Sequence, residues 1–225
     1  MTDSDDQQQN GSTNTQPKDA VTAASQRDWP AYFAAVKGKP PRDTLLFALD
    51  RFDAERTPID QRLAIDIAAG EGRDSAEMLR RGWRVHAIDG HPEAMDHLDE
   101  MRRACGVDTD RFTFEQSAME TYQPSQALLI NASFCLPFCE PAHFDGLWER
   151  IRHAIMPGGR FAGQFFGDRH SWASIDGRTH HTKREVDVLL EGLDIELYDE
   201  AEKDGEDVLG QPVHWHVFHV VAKKP

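Results

Sequence analysis

Two carboxylates and two glycines stand in this chain at the spacing a ligand-binding turn requires. Asp66 lies inside the apolar run Ile65-Asp66-Ile67-Ala68, and Ala69-Gly70-Glu71-Gly72 follows at once. Without Cβ atoms, Gly70 and Gly72 let the backbone turn tightly and let a ligand approach it closely. A helix opening near Arg73 would aim its free N–H groups at polar or anionic ligand atoms. Asp89 ends a second apolar run, 17 residues past Gly72, where a carboxylate that accepts from ribose hydroxyls belongs. Ser75 fills the place of the third glycine of the dinucleotide fingerprint, and Asp66 would repel a pyrophosphate. A nucleoside carrying an ammonium or sulfonium tolerates that carboxylate better.

These residues need strands and helices to hold them. Short apolar runs at 63–68, 83–88, 111–116, 127–130 and 160–166 predict strands. Helical spacing predicts helices over 74–81, 92–103, 144–155 and 183–191, the third stopped by Pro157-Gly158-Gly159. Strands alternating with helices predict a parallel sheet with right-handed crossovers, covered on both faces. Residues 194–198 and 213–222 follow without a helix between them and predict an antiparallel hairpin appended to that sheet. Two short helices, parted by Gly38-Lys39-Pro40-Pro41, are expected within 28–57. Residues 1–27 are polar and lack apolar periodicity, so a disordered tail is expected there, with one domain over 28–225.

Composition narrows the partners. With 39 acidic and 25 basic residues the formal net charge is −14, which opposes phosphate tracking and hence nucleic-acid binding. No apolar run is long enough to span a bilayer, and no signal-peptide pattern opens the chain, so no membrane partner and a cytoplasmic location are expected. The cysteines, Cys105, Cys135 and Cys139, are odd in number and fit a reducing compartment. Cys135 and Cys139 read as small core residues rather than metal or redox groups. No metal is expected, because His180, His181, His214 and His216 form no recognisable ligand set.

Taken with these features, Asp66-Ile67-Ala68-Ala69-Gly70-Glu71-Gly72 resembles the first motif of the class I S-adenosylmethionine-dependent methyltransferases. Ala87-Ile88-Asp89-Gly90 is similar to the second, Leu128-Leu129-Ile130-Asn131 to the fourth, and Met156-Pro157-Gly158-Gly159 to the turn before the fifth strand. Asn131 through Cys139 and His214 through His219 resemble the small bacterial tellurite-resistance type. The resemblance implies an α/β fold, a doubly wound Rossmann-like seven-stranded sheet with a final antiparallel strand. It implies S-adenosyl-L-methionine as cofactor and methyl transfer to a small-molecule acceptor by in-line displacement. Asp66, Ala68, Gly70, Gly72, Asp89, Gly90, Met119 and Asn131 are then expected at the cofactor. Ala118 replaces the family's usual polar group near adenine, and Asn131 replaces a frequent Asp.

On the substrate side, the resemblance makes the segment of Trp29 and Tyr32 a lid. Ser133, Phe134, Arg169 and Trp172 follow strands at the ligand-binding edge. The family's topology brings the start of the last strand to that edge, and period-two alternation puts His214 and His216 on one face there. Those two histidines and Asn131 are the expected catalytic groups, the imidazoles acting only if an acceptor must lose a proton. Two other functions compete: a nicotinamide-dependent oxidoreductase on a Rossmann fold, and a non-catalytic cofactor-binding protein. The oligomeric state is left open.

Overall fold

Apolar runs buried on both faces form the centre of a sheet in the computed structural model, which describes residues 28–225. The expected tail, residues 1–27, lies outside the described residues. Strands β1 (Leu63–Ile67), β2 (Arg84–Asp89), β3 (Phe112–Gln116), β4 (Ala127–Ala132) and β5 (Ile155–Phe166) pair in parallel. Strand β7 (Pro212–Lys223) runs antiparallel to both β5 and β6 (Asp194–Glu206). The seven-stranded order is β3-β2-β1-β4-β5-β7-β6. Its order reverses at β1 and β4, so the crevice beyond their carboxyl ends is where ligands of such sheets bind.

Helices α1 (Trp29–Val36) and α2 (Asp43–Ala54) precede the sheet, and α3 (Arg73–Arg80), α4 (Pro92–Cys105), α5 (Pro141–Ala154) and α6 (Lys183–Leu189) cover it. Strand alternation divides the core in two. Ile65 and Ile67 of β1 pack in one cluster with Phe144, Trp148 and Ile151 of α5. Ala64 packs in the other with Leu45, Leu49 and Phe52 of α2, Met78 of α3 and Leu98 of α4. Among the described residues no helix is long and apolar enough to cross a membrane.

Two boundaries differ from the sequence expectation by five residues or more. Strand β5 begins at Ile155, directly after α5, so Pro157-Gly158-Gly159 lies within it, beside a register irregularity at Ala127/Leu129. A Cβ on Gly159 would stand 2.7 Å from the Leu128 carbonyl oxygen, so only glycine allows that pairing. Strand β6 runs to Glu206 instead of ending at Tyr198. Its acidic second half is held by the ladder to β7, whose turn is closed by the Asp207 carboxylate accepting the Leu209 and Gln211 amides. Cross-strand pairing overrides a composition that disfavours strand.

Candidate active site

The turn after β1 carries a run of unusual backbone angles. Ala68 has φ 54°, Gly70 φ 59° and Gly72 φ 84°. For alanine that conformation costs about 1–2 kcal/mol, which the packed surroundings must hold in place. Phe134, after β4, has φ 54° as well. Its N–H donates to Gln164 Oε1 at 2.8 Å, and Gln164 Nε2 donates to Thr44 Oγ1 at 2.9 Å. Strand β5 and helix α2 thereby fix the loop that Phe134 occupies.

Asp89 ends β2 with its carboxylate accepting Gly70 N–H at 2.9 Å and His91 N–H at 2.8 Å. Burial raises its pKa, and those amide donors oppose the rise. Each oxygen keeps a lone pair for a further donor. A cavity of about 290 Å³ opens beside it, lined by Ala68, Gly70, Gly90, His91, Ser117, Ala118, Met119, Ser133 and Cys135. His91 Nδ1 is buried there with no hydrogen-bond partner among the described residues. Carboxylate, free imidazole nitrogen and open glycine backbone together fit a nucleoside ligand. Phe33 of α1 roofs the turn, 3.4 Å from where a Gly70 Cβ would stand.

A second cavity, of about 570 Å³, lies beyond a shared wall of Trp29, Tyr32, Phe134 and Phe138. Phe166, Trp172, Trp215, Val217 and His219 form its floor, and Arg42, Arg178 and Lys203 reach its edge. His219 stands 5.9 Å from the Phe134 ring, edge to face. Burial lowers its pKa, opposed by Asp199 and Asp43 and assisted by Arg42 and Lys203, so it is neutral at physiological pH.

Several expected site residues face elsewhere. His214 and His216 line neither cavity; they share the opposite face of β7, which corrects their expected role. His216 Nε2 lies 3.1 Å from Glu200 Oε1, His216 Nδ1 accepts Arg169 N–H, and a Cβ on Gly167 would collide with the ring. His214 Nδ1 stands 2.7 Å from Asp204. Arg169 is on that same outer face, bound to Glu200 and Glu202, so it does not reach the substrate side either. The register of β7 on β5 sends Trp215, Val217 and His219 inward instead.

Asp66 and Asn131 also sit behind the cavities. Asn131 Nδ2 donates to Asp66 Oδ1 at 2.8 Å and to Asp74 Oδ2 at 3.2 Å, and Ser75 Oγ donates to Asp66 Oδ2 at 2.6 Å. Burial first, and then the Asp74 carboxylate, pushes the Asp66 pKa well above the ordinary carboxylate range. Together they brace the start of α3, and neither lines a cavity. Gly72 is needed for packing: a Cβ there would stand 3.0 Å from Leu98 and 3.1 Å from Met101. Sequence reasoning missed Arg42, His91, Phe138, Arg178 and His219. Only for His219 did a signal exist, its shared alternation with Trp215.

Residues 65–161 match the family model described as a methyltransferase domain. That segment, from β1 into β5, is thus similar to a methyltransferase domain, in keeping with the expected class I, S-adenosylmethionine-dependent kind. The likeness extends to solved structures. TehB from Haemophilus influenzae is 14% identical with a TM-score of 0.66, over 78% of this chain and 62% of its own. This chain thus spans less than two thirds of TehB's length. The N-methyltransferase NodS from Bradyrhizobium japonicum, in complex with S-adenosyl-l-homocysteine, is 13% identical with a TM-score of 0.65, over 92% of this chain and all of its own, 100%. Magnesium protoporphyrin IX methyltransferase from Synechocystis, with bound SAM, is 10% identical with a TM-score of 0.65, over 93% of this chain and 99% of its own. At these identities the likeness is one of fold, and the expected kinship with the tellurite-resistance type reaches that far. No curated protein matches this chain by sequence. The terminal hairpin and the domain match set aside the nicotinamide reading.

Proposed function

We propose that this methyltransferase alkylates a small molecule held in the larger cavity, with the donor in the smaller one. The observation that carries the reading is the shared wall: Trp29, Tyr32, Phe134 and Phe138 line both cavities, so their occupants meet there. When bound, S-adenosylmethionine supplies a methyl group already activated by its sulfonium. Asp89 would accept from the ribose hydroxyls, with Gly90 beside it. The backbone of Ser117 to Met119 would frame the adenine, and Ala68 and Gly70 the methionine portion. The rings of Trp29 and Tyr32 exclude water from the junction and orient the acceptor. His219, neutral and on the acceptor side, would take up the acceptor's proton where one must leave.

A small acceptor is supported by the cavity's volume of about 570 Å³ and by the net charge of −14, which disfavours a nucleic-acid strand. Titration calorimetry with S-adenosylmethionine and S-adenosylhomocysteine tests the donor half. Stoichiometric binding of both is expected; binding of NAD with no affinity for either would overturn the reading. Turnover across an acceptor screen separates an enzyme from a protein that only holds the cofactor.

A further inference from the structure

We infer that the acceptor enters as a flat aromatic molecule without net charge, an inference that rests on the larger cavity being the acceptor site. Rings follow one another along its wall: Trp29 meets Phe138 at 5.0 Å, Phe138 meets Trp172 at 6.1 Å, and Trp172 meets Trp215 at 6.1 Å. Phe166 backs both of the last two, at 5.9 and 6.0 Å. Among the described residues Trp29 and Trp215 make no ring contact with each other, so the rings form a row rather than a cage around one point. A cage suits a compact cation. A row suits an extended π-system, which gains offset or edge contacts along its length.

Where the charges sit is the second observation. Four acidic and four basic side chains line the cavity, so its wall has no net sign. Asp28, Lys39, Lys203, Asp204 and Glu206 are exposed to water, which screens them. The Asp207 carboxylate is engaged by the Leu209 and Gln211 amides. Arg42 and Arg178 are less exposed, and each lies over a ring, 4.2 Å from Phe134 and 4.2 Å from Phe138. Arg42 also has the Tyr32 hydroxyl and the Asp74 carboxylate beside it. A charge carried in among the rings would lose its hydration and meet groups already engaged, which is costly. A neutral π-system has no such penalty, and a saturated molecule of the same size would forfeit the ring contacts.

The test measures binding to the full chain by calorimetry at neutral pH, with and without saturating S-adenosylhomocysteine. The probes are naphthalenemethanol, its saturated counterpart decahydronaphthalenemethanol, naphthoate and naphthylmethylammonium. Naphthalenemethanol should bind at least about tenfold tighter than each of the others. Trp172→Leu and, separately, Trp215→Leu should each weaken it by about tenfold while S-adenosylhomocysteine binds as before. Lys203→Met should leave its affinity within about twofold. Equal or tighter binding of either charged naphthalene or of the saturated alcohol, or indifference to both tryptophan substitutions, would overturn the inference. If a variant does not fold, the ranking of the four probes on the unaltered chain decides. Failure of S-adenosylhomocysteine to bind, with that ranking intact, would instead strike the methyl-transfer reading alone.

Discussion

At the scale of single residues, what separates ligand contact from support is which face a side chain occupies. Asp89 does both, because its oxygens hold the Gly70 and His91 amides beside the donor cavity. Asp89→Ala should weaken S-adenosylhomocysteine binding by about 1.5–3 kcal/mol in a folded protein, read by calorimetry. His219 and His216 offer a sharper contrast from one strand. His219→Gln should lower kcat while cofactor affinity and Tm hold. The wild-type acid limb in kcat should fall below pH 6.5, because burial lowers the pKa of His219 from that value. His216→Gln should lower Tm first and keep activity per folded molecule, since its ring is sealed against Gly167 and Glu200. If the two variants behave alike, the assignment of faces fails.

Between elements, one buried cation ties the helical cap to the sheet. Arg160 of β5, with a fully buried side chain, donates to Glu55 just after α2 at 2.6 Å and to Glu196 of β6 at 2.5 Å, and lies over the Phe52 ring. Replacing it leaves Glu196 only the half-exposed Arg51, at 3.4 Å, and Glu55 only Lys223. Arg160→Met should therefore cost about 1.5–3 kcal/mol in urea unfolding. Adding Glu196→Gln should restore part of that loss, because the second change removes the stranded carboxylate. A single variant as stable as wild type would show that the triad contributes nothing net. The hairpin is the other decisive element: its outer face gathers acids with Arg169, His214 and His216, and its inner face presents Lys203, Trp215 and His219 to the cavity.

For the whole molecule, buried titrating groups set how stability changes with pH. Burial lowers the pKa of His170 to about 3 and of His180 to about 4, and that of His181 falls as well. Below pH 6.5 the unfolded chain takes up protons that these folded imidazoles refuse, so stability is lost as pH falls from there toward about 3. Asp66 works the other way. Its raised pKa means the folded protein holds a proton that the unfolded chain releases above 3.8, so its contribution is lost as pH rises through about 7. The histidines outnumber it. Tm should therefore climb from pH 4 to pH 6.5, and Asp66→Asn should make that climb steeper in thermal scans. An unchanged slope would show that Asp66 is ionised in the fold.

The sequence by itself determined the strand–helix alternation, the glycine turn after β1 and Asp89 at the end of β2. These follow from local periodicity and from the backbone angles only glycine adopts freely. It also marked the terminal hairpin, because two apolar runs there lack a helix between them. It did not determine which face of β7 meets the cavity: alternation pairs His214 with His216 and Trp215 with His219, but the register against β5 chooses between the pairs. Nor did it show that Asp66 and Asn131 brace α3 from behind, or that Arg42, distant along the chain, lies over Phe134. Such choices depend on long-range pairing, where a shift of one residue exchanges a strand's two faces and no local pattern records the outcome.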